Sequence, residues 1–134
     1  VFDQAPEDEL FPACRALGVA VIARVPFDEG TLTGTLTNNT TWPEGDFRNI
    51  YFAGDKLAES VARAERLRPD VPADMTMPEL ALRFILAHPD VSTVIPGMRK
   101  RAHVDANLGA SDGRALDAPL LQRLSAHRWD RTPR

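Results

Sequence analysis

Val91-Ser92-Thr93-Val94-Ile95-Pro96-Gly97-Met98-Arg99-Lys100 is the stretch on which the reading of this chain turns. Val91 to Ile95 is a short β-branched run, and Pro96-Gly97 closes it as a strand running into a tight turn. Arg99, Lys100, Arg101 and His103 follow as the densest basic cluster of the chain, where a helix is expected from about Arg101 to Leu108. A strand that passes through a glycine turn into a helix is one unit of an α/β architecture.

The flanking sequence supplies more of the same units. Upstream, Thr76-Met77-Pro78-Glu79 has capping-box spacing with proline in the first turn, Leu80, Ala81, Phe84 and Ile85 form a buried stripe, and His88-Pro89 ends the helix. Leu57, Val61, Ala64 and Leu67 trace one face of a helix from Asp55 to Arg68, which Arg68-Pro69 and Val71-Pro72 break. Pro26 to Phe47 has no sustained period and reads as a long loop. Val19-Ala20-Val21-Ile22-Ala23 is continuously apolar, the pattern of a strand buried on both faces. Before it, Leu10, Phe11, Cys14 and Leu17 recur at helical spacing, with Pro12 near the helix start and Gly18 placed as its C-terminal cap. A last helix is expected from about Pro119 to Arg128, with Trp129 anchoring the tail. Helix, strand, long loop with helix, helix, strand, helix, helix is a parallel α/β order. Two parallel strands alone can neither bury both faces nor satisfy their edges, so the chain reads as a piece of a larger sheet.

Composition narrows the function classes. The 134 residues, 43% of them apolar, suffice for one core and fall short of two. With 16 basic and 19 acidic residues the net charge is −3, which argues against a general nucleic-acid binder. No apolar run approaches membrane-spanning length, and Val1-Phe2-Asp3-Gln4 lacks the pattern of a secretory leader, so no membrane partner is expected. The lone Cys14 has no disulfide or metal-ligand partner and reads as a packed thiol in a reducing, cytoplasmic setting. Arg114, Arg123, Arg128, Arg131 and Arg134 are scattered, as on a solvated face.

Chemistry is best placed at Ile95 to Lys100. Free N–H groups of a helix start, the positive end of the helix dipole and two cations would meet there, a recipe for phosphate binding; an ordinary turn with solvated arginines is the other reading. Gly30-Thr31-Leu32-Thr33-Gly34 could approach a diphosphate through its backbone, yet no Gly-Lys-Ser/Thr follows, so it is no P-loop. His88 before proline suits a cap better than catalysis, and His103, His127 and Cys14 share no metal-ligand spacing. The loop from Asp28 to Asn49, with Trp42 and Phe47, either walls a substrate pocket or packs against its own helix.

Several of these segments, in this order, resemble the aldo-keto reductase family. Leu10 to Ala23 looks like that family's sixth helix and seventh strand, and Val25-Pro26-Phe27 with Gly30 to Gly34 is similar to its Ser-Pro-Leu…Gly-x-Leu-Thr-Gly loop. Glu79 to Leu86, Val91 to Gly97 and Asn107-Leu108 resemble the next helix, the eighth strand and the cofactor-binding helix. The resemblance implies an α/β fold, the C-terminal portion of a (β/α)8 TIM barrel with about strands 7 and 8 and their helices, over residues 1–134. It implies NADPH as cofactor and reduction of aldehydes or ketones to alcohols. Pro26, Phe27, Gly30 and Leu32 would then line the cofactor diphosphate, largely through backbone. Gly97, Met98, Arg99 and Lys100 would hold the adenosine-side phosphate, with His103 beside the adenine and Asn107 hydrogen-bonding it. Two adjacent cations suit a doubly charged 2′-phosphate, favouring NADPH over NADH.

Two departures from the family pattern are Val25, where Ser is common, and Ala106, where an acid is common. A third is larger. The family's catalytic Asp, Tyr, Lys and His belong to the first half of the barrel, and the one tyrosine, Tyr51, and the two lysines, Lys56 and Lys100, sit in no segment resembling theirs. No catalytic residue is assigned, no metal site is expected, and the expected partners are a nicotinamide cofactor and, with the rest of the barrel, a small carbonyl substrate. The rivals are a non-enzymatic nucleotide-binding or accessory subunit, and an inactive half-barrel that self-associates through its open strand edges.

Overall fold

The computed structural model describes residues 1–130. Helix α1 (Leu10–Leu17) is followed by strand β1 (Val21–Arg24), 3-10 turns over Asp28–Thr33, a single-turn helix α2 (Arg48–Tyr51), and helices α3 (Lys56–Leu67) and α4 (Met77–Leu86). Strand β2 (Val91–Ile95) and helices α5 (Arg101–Gly109) and α6 (Ala118–Ser125) complete the order. The expected alternation of helices and strands is present, and β1 and β2 pair in parallel. Arg131 and Arg134, read above as part of a solvated face, lie outside the described residues.

Local chemistry explains the element ends. Gly18 closes α1 at φ +65°, its N–H reaching Arg15 O at 3.3 Å while Val19 N–H reaches Cys14 O at 2.9 Å. That second bond shortens the strand. Val19 and Ala20, expected at the start of β1, belong instead to the exit of the cap, and pairing begins at Val21. At α4, Thr76 Oγ1 accepts from Glu79 N–H at 3.3 Å as the capping box requires. The Glu79 carboxylate turns the other way, accepting from Arg83 Nε at 2.9 Å. Asp117 caps α6 through Leu120 N–H at 2.7 Å.

The closed core lies among the helices. Leu67 of α3, Leu80 of α4 and Leu124 of α6 are fully buried together with Leu32, and Val1, Phe2, Met75, Met77, Leu116 and Leu120 surround them. Trp129 anchors the tail as expected: its ring packs edge-on to Phe2 at 6.0 Å and lies 4.1 Å under the Arg63 guanidinium, and its backbone N–H donates to Phe2 O at 2.8 Å. The sheet differs from expectation. Ile22 is 61% exposed and Ile95 58%, because among the described residues each strand pairs only with the other. Continuous apolarity describes the strands' sequence; it is not matched by burial on both faces here.

The scattered arginines are not merely solvated. Arg114 pairs with Asp74 at 2.8 Å, Arg123 of α6 with Asp70 at 2.9 Å, and Arg128 with both Asp8 and Asp130, so they tie segments distant in sequence together. Arg15 of α1 forms a two-pronged pair, both contacts 2.6 Å, with Asp90 at the start of β2. That guanidinium holds the Asp90 carboxyl below the usual carboxylate range. No helix among the described residues is long and apolar enough to cross a membrane.

Candidate functional site

Parallel pairing decides where the two candidate segments meet. Ala23 is aligned with Val94 and Arg24 with Ile95, so both strands end side by side. The loop beginning at Val25 and the turn beginning at Pro96 therefore leave the same carboxyl edge of the sheet, the edge at which α/β proteins bind ligands.

The loop after β1 is shaped by its backbone. Val25, Asp28 and Glu29 have φ of 54°, 50° and 55°, a left-handed conformation that a β-branched residue such as Val25 adopts only under constraint. Gly30 continues the bend at φ 111°, where an added Cβ would meet no atom within 4 Å but would strain the backbone. Phe27 O is the hub: it accepts from Gly30 N–H and Leu32 N–H, both at 3.0 Å. Pro26 is buried, Phe27 packs against the core, and Leu32 is only 1% exposed. Of the four residues expected here, Pro26 and Leu32 are buried, the N–H groups of Gly30 and Leu32 are both spent on Phe27 O, and Phe27 and Gly30 form the partly exposed part of the bend.

The turn after β2 is built from side chains. Gly97, Met98, Arg99, Lys100 and His103 are exposed, and Lys100 occupies the N-cap of α5 in extended conformation without a side-chain cap of its own. Cations thus border the first turn of a nine-residue helix that has no side-chain cap, its His103 N–H donating to Lys100 O at 2.9 Å. Asn107 is half-buried and its Nδ2 donates to Gly97 O at 3.4 Å, joining helix and turn. Five of the six residues expected in this cluster lie at one helix start, and Asn107, near the other end of the helix, reaches back to it through Gly97. Ala106 and Leu108 on the same helix are exposed.

One residue at the C-terminal end of α5 escaped the sequence reading. Arg83 of α4 has a side chain only 3% exposed, and all five of its N–H donors are engaged. Nε donates to Glu79 Oε1 at 2.9 Å, Nη1 to Asp112 Oδ1 at 2.7 Å and to Arg114 O at 2.9 Å, and Nη2 to Asp112 Oδ2 at 3.0 Å and to Gly109 O at 3.1 Å. Hydrogen bonding from Arg83, then from the Arg114 backbone, lowers the Asp112 carboxyl to about 2. Asp112, and after it Glu79, raise the Arg83 pKa further. The available signal was an arginine four residues after Glu79 inside an otherwise apolar run.

Other candidates resolve simply. His88 Nδ1 accepts from Asp90 N–H at 3.2 Å and its ring packs edge-on to Phe11 at 4.7 Å, so it caps an N–H rather than a carbonyl. Tyr51 donates its hydroxyl to Asp28 at 3.3 Å. Trp42 stacks on Phe52 at 5.1 Å and lies under Arg48 at 5.5 Å, which is the packing alternative for the loop aromatics, whereas Phe47 remains exposed. Among the described residues no three His, Cys, Asp or Glu side chains gather into a metal site. A cavity of about 600 Å³ runs along β1 between Phe2, Phe11, Ile22 and Phe84 and reaches Pro26 and Asp28. Arg99 and Lys100 lie outside it, so the cationic site is an open surface continuous with the helix start.

Comparison with known proteins gives this geometry a context. The model of the aldo/keto reductase family matches residues 1–128. The chain is 29% identical over 119 residues to the NADH-specific methylglyoxal reductase of Escherichia coli, covering 88% of this chain and 36% of that protein. It is likewise 29% identical over 128 residues to the aldo-keto reductase yakc [NADP(+)] of Schizosaccharomyces pombe, covering 89% of this chain and 36% of that one. Among solved structures, the holo form of aldo-keto reductase AKR11C1 from Bacillus halodurans superposes with a TM-score of 0.66 at 30% identity, over 94% of this chain and 38% of that one. The chain thus spans little more than a third of the length of these relatives.

Proposed function

The chain belongs to the aldo/keto reductase family, and from that premise we propose that it is the cofactor-holding, C-terminal part of a (β/α)8 barrel that reduces aldehydes or ketones to alcohols with NADPH. Members of the family are oxidoreductases that act on carbonyl groups with nicotinamide cofactors. The observation that carries the proposal is the parallel register of Arg24 with Ile95, from which both candidate segments leave one sheet edge. The exposed apolar side chains of the strands fit a sheet that continues into further strands.

The residues present fit a phosphorylated dinucleotide. Arg99 and Lys100 beside the start of α5 would hold the adenosine-side phosphate, with Gly97 and Met98 allowing close approach. His103 would border the adenine and Asn107, already tied to Gly97, would hydrogen-bond it. Pro26, Phe27 and Gly30 would present the bend to the diphosphate, and Leu32 would pin that bend to the core. When bound, the cofactor supplies hydride to the carbonyl carbon. This chain's part is to orient it; the proton for the carbonyl oxygen would come from the rest of the barrel.

One measurement tests the assignment. Titrating the intact enzyme while following reduced-cofactor fluorescence is expected to give tighter binding of NADPH than of NADH, and Arg99→Ala is expected to remove most of that difference. Equal affinities in the wild type would overturn NADPH preference. No fluorescence change with either cofactor would overturn the cofactor site itself, and binding without turnover of any aldehyde would favour an accessory subunit.

A further inference from the structure

Helix α5 is held in an unusual way for a helix that carries a binding site. None of its nine residues is buried, and Leu108, its last large apolar residue, is 63% exposed, so hydrophobic packing does little to fix it. Asn107 Nδ2 joins the helix to its own turn at Gly97 O, 3.4 Å away, and its ties to α4 lie at its C-terminal end. Gly109 O, one of the carbonyls that a helix end leaves without an internal partner, accepts from Arg83 Nη2 at 3.1 Å. Asp112, three residues on, receives the two-pronged grip of the same guanidinium at 2.7 and 3.0 Å, and Arg114 O takes Nη1 at 2.9 Å. Arg83 is itself held in place, because its side chain is buried in α4 and Glu79 braces its Nε at 2.9 Å.

We propose that Arg83 is a positioning residue for the cofactor site: its saturated guanidinium fixes the C-terminal end of α5, and through the helix it sets the aim of the Arg99–Lys100 turn. The proposal rests on the cofactor site assigned above. A helix of this length is about 13 Å long, so a tilt of roughly 10° about its far end moves the phosphate-binding start by about 2 Å. A displacement of that size exceeds what a charge-assisted hydrogen bond tolerates. The planar five-donor fork is what the site needs. A lysine keeps the charge but cannot address Glu79, Asp112 and the two carbonyls together.

The test uses the intact enzyme with Arg83→Lys and Asp112→Asn, the second removing the charged partner while leaving Arg83 in place. In Arg83→Lys the KM for NADPH is expected to rise on the order of tenfold with kcat within about twofold, and the preference for NADPH over NADH to narrow. Asp112→Asn is expected to move the same quantities in the same direction by a smaller factor, and it decides the matter if Arg83→Lys does not fold. A merely structural Arg83 would lower the melting temperature and the folded fraction, and hence the apparent kcat, while leaving the KM for NADPH unchanged; that result in either folded variant overturns the proposal. A wild-type enzyme that fails to bind NADPH would overturn the cofactor site along with it, whereas binding lost in Arg99→Ala and kept in both of these variants would overturn the positioning role alone.

Discussion

The loop after β1 and the turn after β2 leave one edge of the sheet, yet the first buries Pro26, Thr31 and Leu32 and bends through three left-handed non-glycine residues, while every residue from Gly97 to His103 is exposed. The first offers a shape fixed by the core. The second offers charge on a surface that the core barely touches. A dinucleotide has a constant diphosphate and a variable 2′ position, and this division suits both: a rigid bend for the part that does not change, and free side chains for the part that does.

Breaking the rigid side is expected to give the largest effect. Leu32→Ala leaves a hole between α3, α4 and the loop and should destabilise the protein by about 3 kcal/mol, read as a lower melting temperature. A negligible loss would mean that the loop is not held by the core. Next, Arg99→Ala should weaken NADPH binding by about 2 kcal/mol, roughly thirtyfold, while moving stability by no more than about 0.5 kcal/mol. The wild-type affinity should also fall with added salt more steeply than that of the variant. Gly30→Ala should destabilise by about 1–2 kcal/mol even though an added methyl would meet open space, since the whole penalty lies in φ 111°. Smallest, Val25→Asn should raise stability by up to about 1 kcal/mol, because asparagine tolerates φ 54° better than a β-branched residue does. A stability loss there would mean that the Val25 side chain contributes more than its strained backbone takes away.

Much of this could be read from residues alone, and the failures have physical causes. The helix at Thr76-Met77-Pro78-Glu79 and the strand at Val91–Ile95 were legible because capping chemistry and β-branching act over a few residues. The start of β1 was misplaced by two residues because apolarity does not reveal that Val19 N–H is spent on Cys14 O. Glu79 was legible as half of a capping box, but its carboxylate serves Arg83, whose other partners lie at 109–114 and outside any local window. The phosphate-type cluster at Arg99 and Lys100 stood out because its parts adjoin in sequence. Its proximity to the Val25–Gly34 loop depends on pairing across some seventy residues, which no spacing rule encodes.

The bare surface from Gly97 to His103 also has a bearing on descent. Because no side chain there supports the interior, its sequence can drift or be redesigned at almost no penalty in folding. If these positions bind nucleotide as proposed, a change of nucleotide preference there would leave the core behind them as it is.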